Sequence, residues 1–278
     1  MAPSHWRERL GALDVVARGE LMPLSGGDSA RVWQLESVRG RVVVKQDDPA
    51  RLVEESNGLR ALHAAGTSLI VPEVLGLDND ILVMEALDTV SSGQRLEQQL
   101  GTGLRELHEV SGTTHGWERN NACGPTPQDN TPCADGRIFQ RERRLLPLGQ
   151  ACADKGLLKK NTLERLTRIA EGLESWLPNA RPSLVHGDLW SGNVLYTRKG
   201  PAIIDPAVYR HYPEVDLAML TLFGSPSAVF FEAYWDGKRP DDWPRRQGLF
   251  QLYPLLNHLL LFGAGYHGAV ERRIDELD

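Results

Sequence analysis

Ser183-Leu184-Val185-His186-Gly187-Asp188-Leu189-Trp190-Ser191-Gly192-Asn193-Val194-Leu195-Tyr196 is the stretch on which the reading of this chain turns. An apolar segment, Leu184-Val185, enters a tight polar loop and leaves it as a second apolar segment, Val194 to Tyr196. The pattern predicts strand, loop, strand. Within the loop, Asp188 and Asn193 offer two oxygen acceptors of different charge. Further on, Ala202-Ile203-Ile204 stops abruptly at Asp205-Pro206, and Lys199-Gly200 supplies a turn before it. A hairpin across that turn would return Asp205 to the side of Asn193.

His-Gly-Asp followed five residues later by Asn has the spacing of the protein-kinase catalytic loop. In that chemistry an aspartate accepts the hydrogen of the attacking hydroxyl. An uncharged amide oxygen and a second carboxylate hold magnesium against the phosphates. Asp188 is therefore the candidate base, and Asn193 and Asp205 are the candidate metal ligands. Either aspartate alone reads equally well as a turn or strand-end residue. The three together, with a hairpin to unite them, favour phosphoryl transfer. Kinases carry Asp-Phe-Gly where this chain has Asp205-Pro206-Ala207, but the metal needs only the aspartate.

Upstream, the pattern is β-rich. Leu21 to Leu24 is a short apolar segment, and the glycine turn Ser25-Gly26-Gly27-Asp28 follows it. Arg31 to Glu36 alternates, Arg39-Gly40 turns, and Arg41 to Lys45 is a β-branched run, which together predict a hairpin. Pro49 opens a helix over Ala50 to Ala65, and Gly66 closes it. Val71 to Leu77 and Ile81 to Met84 read as strands about the turn Asp78-Asn79-Asp80. Lys45 ends its strand as a phosphate-binding lysine does. Glu55, ten residues on, is its candidate partner, with Glu54 as rival. Glu85-Ala86-Leu87 sits where backbone groups would meet an adenine edge. The Gly26-Gly27 turn either covers phosphates with its N–H groups or simply turns. Nothing matches G-x-x-x-x-G-K-[ST], so the chain is not a P-loop enzyme.

The fold expected is α+β and two-lobed. Residues 1–88 form a small antiparallel β lobe with one helix, and residues 89–278 form a larger, mostly helical lobe. Gly93 to Glu109 and Leu157 to Leu177 read as helices, and Leu249 to Phe262, apolar nearly all round, reads as a buried one. Ser111 to Asp135 reads as a long loop. Asp216, in a helix opened by Pro213, either complements the helix dipole or hydrogen-bonds the catalytic-loop backbone. A net charge of −6 speaks against nucleic acid as a partner. No apolar run would span a bilayer, and the N-terminus lacks a signal core, so a cytoplasmic monomer or homodimer is expected. Cys123, Cys133 and Cys152 lack zinc-site spacing and read as free thiols.

The stretch His186 to Asn193, with Trp190 inside it, resembles the fructosamine kinase (ketosamine-3-kinase) family, which is related to aminoglycoside and choline kinases. Asp205-Pro206-Ala207-Val208-Tyr209, Glu214 to Met219 and Leu222-Phe223-Gly224 are similar too. So are Tyr253 to His258, Leu261-Phe262-Gly263, and the set Gly124, Thr126, Gln128 and Asn130. The resemblance implies a protein-kinase-like fold using ATP and Mg2+. It implies transfer of the γ-phosphate to O3 of a ketosamine, free or on a protein lysine, as a deglycation repair. Trp190 would then lie against the sugar and His258 would bond a hydroxyl; packing and buried-histidine roles are the alternatives. Many members carry cysteine after the Gly-Gly turn, where this chain has Asp28, which speaks against a redox switch there and against a close grip on ATP. The rival readings are an aminoglycoside- or choline-type kinase and a non-catalytic nucleotide-binding protein.

Overall fold

A computed structural model describes residues 5–24 and 30–278. The Gly26-Gly27 turn and Asp28, with the roles expected of them, lie outside the described residues. The chain opens with helix α1 (Trp6–Ala12), then β1 (Met22–Pro23), β2 (Arg31–Ser37), β3 (Gly40–Gln46), helix α2 (Pro49–Ala64), β4 (Val74–Asp78) and β5 (Ile81–Glu85). The five strands make one antiparallel sheet in the order β1-β2-β3-β5-β4. Side-chain alternation decides its faces. Leu35, Val42, Val44, Ile81 and Val83 bury against Leu10 of α1. Val43 and Lys45 therefore point the other way, toward the rest of the chain. Helix α2 starts where it does because the Asp48 carboxylate accepts the N–H groups of Ala50 and Arg51, with Pro49 in the first turn.

The remainder is mostly helical. Helix α3 (Gln94–Glu109) leads to a small hairpin, β6 (Asn121–Cys123) and β7 (Thr126–Gln128). Helix α4 (Gly136–Gln140) passes through a π-helical turn, Arg141–Leu145, into α5 (Leu146–Asp154), and α6 (Lys160–Glu171) follows. Then come β8 (Ser183–Val185), β9 (Val194–Tyr196), β10 (Pro201–Ile203) and β11 (Tyr209–His211). Helices α7 (Glu214–Leu220), α8 (Ala228–Trp235), α9 (Trp243–Phe262) and α10 (His267–Leu277) complete the chain.

Three expectations need correction. The segment 111–135 is not loop throughout, because β6 and β7 pair within it. The helix expected over Leu157 to Leu177 is shorter: Leu157 closes the preceding turn on Cys152, and a single 3-10 turn, Leu173–Ser175, follows Gly172. The final long helix begins earlier, at Trp243, and it is not buried to its end, since Phe262 is 51% exposed.

One apolar cluster joins the sheet to the helices. Leu52, Leu59, Leu62, Leu82 and Met84 meet Leu100, Leu104, Leu107, Leu184, Val194 and Ile203 in it. A second cluster centres on α9 with α5, α6 and α10. Among the described residues no helix is long and apolar enough to cross a membrane.

Helices α3 and α8 touch closely at Gly101, where an added Cβ would lie 2.3 Å from the carbonyl oxygen of Phe230. Gly101→Ala must push the helices apart. It is expected to cost about 1–3 kcal/mol, seen as a lower urea midpoint with an unchanged m-value.

Candidate active site

The loop that carries Asp188 is held from beneath by a carboxylate. Asp216, in the first turn of α7, is fully buried. Its Oδ2 accepts the His186 N–H at 2.7 Å and lies 3.1 Å from His108 Nε2, and its Oδ1 accepts the Gly187 N–H at 2.9 Å. Burial pushes the Asp216 pKa up, but the hydrogen bond and charge of His108 and the Gly187 N–H outweigh it, so the group sits below its ordinary value. Of the two roles expected for Asp216, the backbone anchor is the one that its contacts satisfy. Gly187 adopts φ +84, and a Cβ there would come within 2.1 Å of the Ala207 carbonyl oxygen, so no other residue fits.

His186 spans the same turn. Burial lowers its pKa, which keeps the ring neutral. In that state Nε2–H donates to the Ile204 carbonyl at 2.9 Å and Nδ1 accepts the Asp188 N–H at 3.3 Å. Asn193 closes the loop by donating from Nδ2 to the Asp188 carbonyl at 2.8 Å. Its amide nitrogen is committed, so Oδ1 is the end left for a cation. The β9–β10 hairpin pairs Ile203 with Val194, and the Ile204 N–H bonds the Asn193 carbonyl at 3.1 Å. Asp205 is thereby delivered beside Asn193, in a left-handed conformation with φ 54.

Lys45 reaches this group from the sheet. Its Nζ lies 2.7 Å from Glu55 Oε2 and 3.1 Å from Asp205 Oδ1. Burial alone would lower the lysine pKa, but the charges of Glu55 and Asp205 more than reverse this and keep the ammonium. The rival Glu54 pairs with Arg119 instead, at 2.8 Å. Glu55 Oε1 is buried without a hydrogen-bond partner.

Asp188 faces a small cavity of about 20 Å³, lined also by Cys123, Gln140, Tyr209, Tyr253 and Pro254. Burial pushes its carboxyl up to about 7; the facing Cys123 thiol opposes this, while the charges of Asp205 and Asp216 add to it. A carboxylate near neutrality suits a base that must gain and lose a proton. The same environment drives the Cys123 thiol upward, mainly through burial, so it stays protonated.

The β6–β7 hairpin is tied in by alternate residues. Thr126 Oγ1 donates to Asn257 Oδ1 at 2.5 Å, Gln128 Nε2 to Tyr253 OH at 2.8 Å, and Arg144 to Asn130 Oδ1 at 2.6 Å. The period-two spacing of Thr126, Gln128 and Asn130 thus places them on one buried side. The proximity of Cys123 to Asp188 and the anchor made by Asp216 carried no local signal strong enough to place them in the site.

The other expected residues fall as follows. Glu85 ends β5 exposed, and Ala86 and Leu87 are half-buried. The Ala86 N–H already donates to the Arg41 carbonyl at 3.2 Å. Trp190 is 40% exposed, with its ring close over Gly192. His258 is one turn beyond Pro254 on α9; its Nδ1 lies 2.7 Å from the Pro254 carbonyl oxygen, and aromatic rings surround it. No group of three or more His, Cys, Asp and Glu among the described residues could hold a metal by itself. Asn193 Oδ1 and Asp205 offer two hard oxygens. That set fits magnesium, which takes its other ligands from phosphates and water.

The fructosamine kinase family model matches residues 8–277. A probable ketoamine kinase of Thermus thermophilus is 36% identical over 263 residues, which cover 93% of this chain and 94% of that one. A chloroplastic protein-ribulosamine 3-kinase of Arabidopsis thaliana is 32% identical over 244 residues, covering 82% of this chain and 72% of its own. The crystal structure of a candidate fructosamine-3-kinase from Thermobifida fusca superposes with a TM-score of 0.91 at 29% identity, over 99% of this chain and 98% of that one. An ADP-bound aminoglycoside phosphotransferase superposes with a TM-score of 0.65 at 18% identity, over 100% and 97% of the two chains, a likeness of fold alone. The fold is thus protein-kinase-like, with an N-terminal antiparallel sheet and a helical C-terminal part.

Asp188 has a folded-state pKa above its unfolded value, so folding favours its protonated form. The stability this contributes is complete below about pH 4 and is lost as pH rises through about 7. Asp188→Asn cannot ionise. Without nucleotide or metal, its melting temperature should match the wild type near pH 4 and exceed it by several degrees at pH 8. Scanning calorimetry across that range checks the sign.

Proposed function

The chain belongs to the fructosamine kinase family, and from that premise we propose that it transfers the γ-phosphate of ATP to the O3 hydroxyl of a ketosamine, a repair of glycated amines. The observation that carries the reading is the meeting of Lys45, from the distant sheet, with the loop and hairpin that bear Asp188, Asn193 and Asp205. Asn193 bonds the Asp188 carbonyl, the N–H of Ile204, next to Asp205, bonds the Asn193 carbonyl, and Lys45 touches Asp205 at 3.1 Å.

Asp188 orients the O3 hydroxyl and takes its proton as the oxygen attacks. The new bond forms between O3 and the γ-phosphorus, the bond to the bridging oxygen breaks, and ADP leaves. Lys45, fixed by Glu55 at 2.7 Å, sets a positive charge against the phosphates. Asn193 and Asp205 would hold a magnesium ion, which would supply charge neutralisation to the same phosphates. The backbone at Glu85, Ala86 and Leu87 borders the adenine. The Glu85 N–H is engaged by the Glu73 carbonyl and the Ala86 N–H by the Arg41 carbonyl, so the Leu87 N–H is the donor of this segment that would meet it. Trp190, exposed beside the loop, lies against the sugar, and His258 bonds a sugar hydroxyl. No phosphoenzyme is needed, because direct in-line transfer requires only these groups.

Ribulosyl-lysine, choline and kanamycin offered side by side in a coupled ADP-release assay test the substrate class. Turnover is expected with ribulosyl-lysine alone; release driven by kanamycin or choline instead would remove the ketosamine assignment. Asp188→Asn is expected to lower kcat by about 10²–10⁴-fold while ADP affinity changes little. A near-normal rate in that variant would mean that Asp188 is not the base.

A further inference from the structure

We propose that Gln140, at the end of α4, is a specificity-determining residue. Its amide oxygen faces the cavity at Asp188 and accepts a hydrogen bond from the C4 hydroxyl of the substrate, and the buried pair His115 and His211 positions the amide that way. The inference rests on the ketosamine reading above and adds the group that recognises the hydroxyl next to the reacting one.

Three buried polar side chains stand in a row behind the cavity. His115 and His211 are fully buried, and Gln140 is 1% exposed. His115 Nε2 lies 3.2 Å from the Ala180 carbonyl oxygen, the two Nδ1 atoms are 2.9 Å apart, and His211 Nε2 lies 3.0 Å from the Gln140 amide. Packing holds the row in place. The His211 ring centre is 4.9 Å from those of both Phe139 and Tyr212. A Cβ on Gly136, at the start of α4, would come within 2.4 Å of His115 Cε1. Gln140 and Asp188 line the same cavity.

Counting protons along the row fixes the amide. The Ala180 carbonyl only accepts, so His115 Nε2 carries a hydrogen. In a neutral ring its Nδ1 is then bare and accepts from His211 Nδ1–H. His211 Nε2 is bare in turn, and its partner has to donate. The contact as it stands sets Gln140 Oε1 at that nitrogen. That orientation needs three protons on two rings, and so a positive charge. The surroundings oppose one. Burial lowers the pKa of both rings, and the charge of Arg144 adds to the effect at His211. Asp135, the carboxylate that acts on His115, is already paired with Arg137. The two ends of an amide have the same outline, and the protons around them decide which is which. Gln140 therefore gives its NH2 to His211 and keeps its oxygen for the cavity.

An oxygen acceptor beside the base chooses among the groups of the substrate. The cavity, about 20 Å³, has room for roughly one hydroxyl. In an open-chain ketosamine C3 is flanked by C2, a carbonyl with no hydrogen to give, and by C4, which bears a hydroxyl. With O3 at Asp188, the C4 hydroxyl is the neighbour that Gln140 can hold. Val215, Met219 and Phe250 line the wall around it. In apolar surroundings a hydrogen bond left unmade costs more than it does in water.

Ribulosyl-lysine and its 4-deoxy and 4-fluoro analogues, compared in the ADP-release assay, test this. Fluorine fills the place of the hydroxyl but donates nothing. The two analogues shift the acidity of O3 in opposite directions, so a shared loss reports the missing donor. Wild-type kcat/KM should fall by about tenfold or more for both. Gln140→Leu should lower kcat/KM for ribulosyl-lysine by a similar factor and bring the three substrates together. His211→Phe frees the amide to turn and should narrow the gap between hydroxyl and fluorine; an unchanged gap there would remove the histidine pair from the proposal. A wild type that treats fluorine like hydroxyl, or a Gln140→Leu variant that keeps the wild-type preference, would overturn the inference and leave the kinase reading standing. Failure of the wild type on ribulosyl-lysine itself would instead remove the ketosamine reading, and the inference with it. The wild-type comparison of hydroxyl with fluorine decides by itself if a substitution unfolds the chain.

Discussion

A carboxylate at zero exposure has to be satisfied, and the way Asp216 is satisfied fixes the geometry of everything above it. A buried charge without partners would shift its pKa or unfold its surroundings. Asp216 instead draws in the N–H groups of His186 and Gly187 and the His108 ring. The backbone at 186–187 is thereby pinned to the start of α7, and Gly187 must take a conformation that other residues avoid. Asp188 is the next residue along. Its position follows from a neighbour that lies 28 residues away in sequence and never needs to meet the substrate.

The charges of the site are arranged at some cost to the fold. Lys45 sits between Glu55 and Asp205 with little exposure, and Glu55 keeps one oxygen unpartnered. Asp205 holds a left-handed backbone, and Asp188 is buried enough to resist ionisation. Each feature is unfavourable for a resting protein and suitable for one that receives a metal-bound polyphosphate. Such sites commonly trade stability for readiness. The compensation lies in the apolar seam between the sheet and the helices, and in the helical cluster around α9.

A buried arginine organises the opposite wall. Arg144 is 1% exposed, with its guanidinium 4.6 Å from the Phe139 ring centre and 4.4 Å from that of Tyr209. It also donates to the carbonyl of Asp129 and to Asn130. The π-helical turn Arg141–Leu145 is the segment that carries it inward. The β6–β7 hairpin is thus gripped by Arg144 on one side and by Tyr253 and Asn257 of α9 on the other. That grip brings Cys123 to Asp188 and Gly124 to the outer end of α9.

The sequence by itself determined the parts of the site that lie close along the chain. Asp188, Asn193 and Asp205 belong to one loop and one hairpin, where turn residues and short connections leave few arrangements open. The hairpin carrying Lys45 and the Pro49 start of α2 were legible for the same reason, while the Asp48 cap was not. Which glutamate meets Lys45 was not, because adjacent positions on a helix differ by about 100° and only Arg119, from elsewhere in the chain, claims Glu54. Tertiary structure alone decided the anchor made by Asp216, the pairing hidden in the segment 111–135, and the gathering of Phe223, His258, Phe262 and Tyr266. Each depends on side chains from separate elements meeting in space. Local propensity and spacing fix a strand or a turn, but the partners of a buried polar group are chosen by how the elements pack.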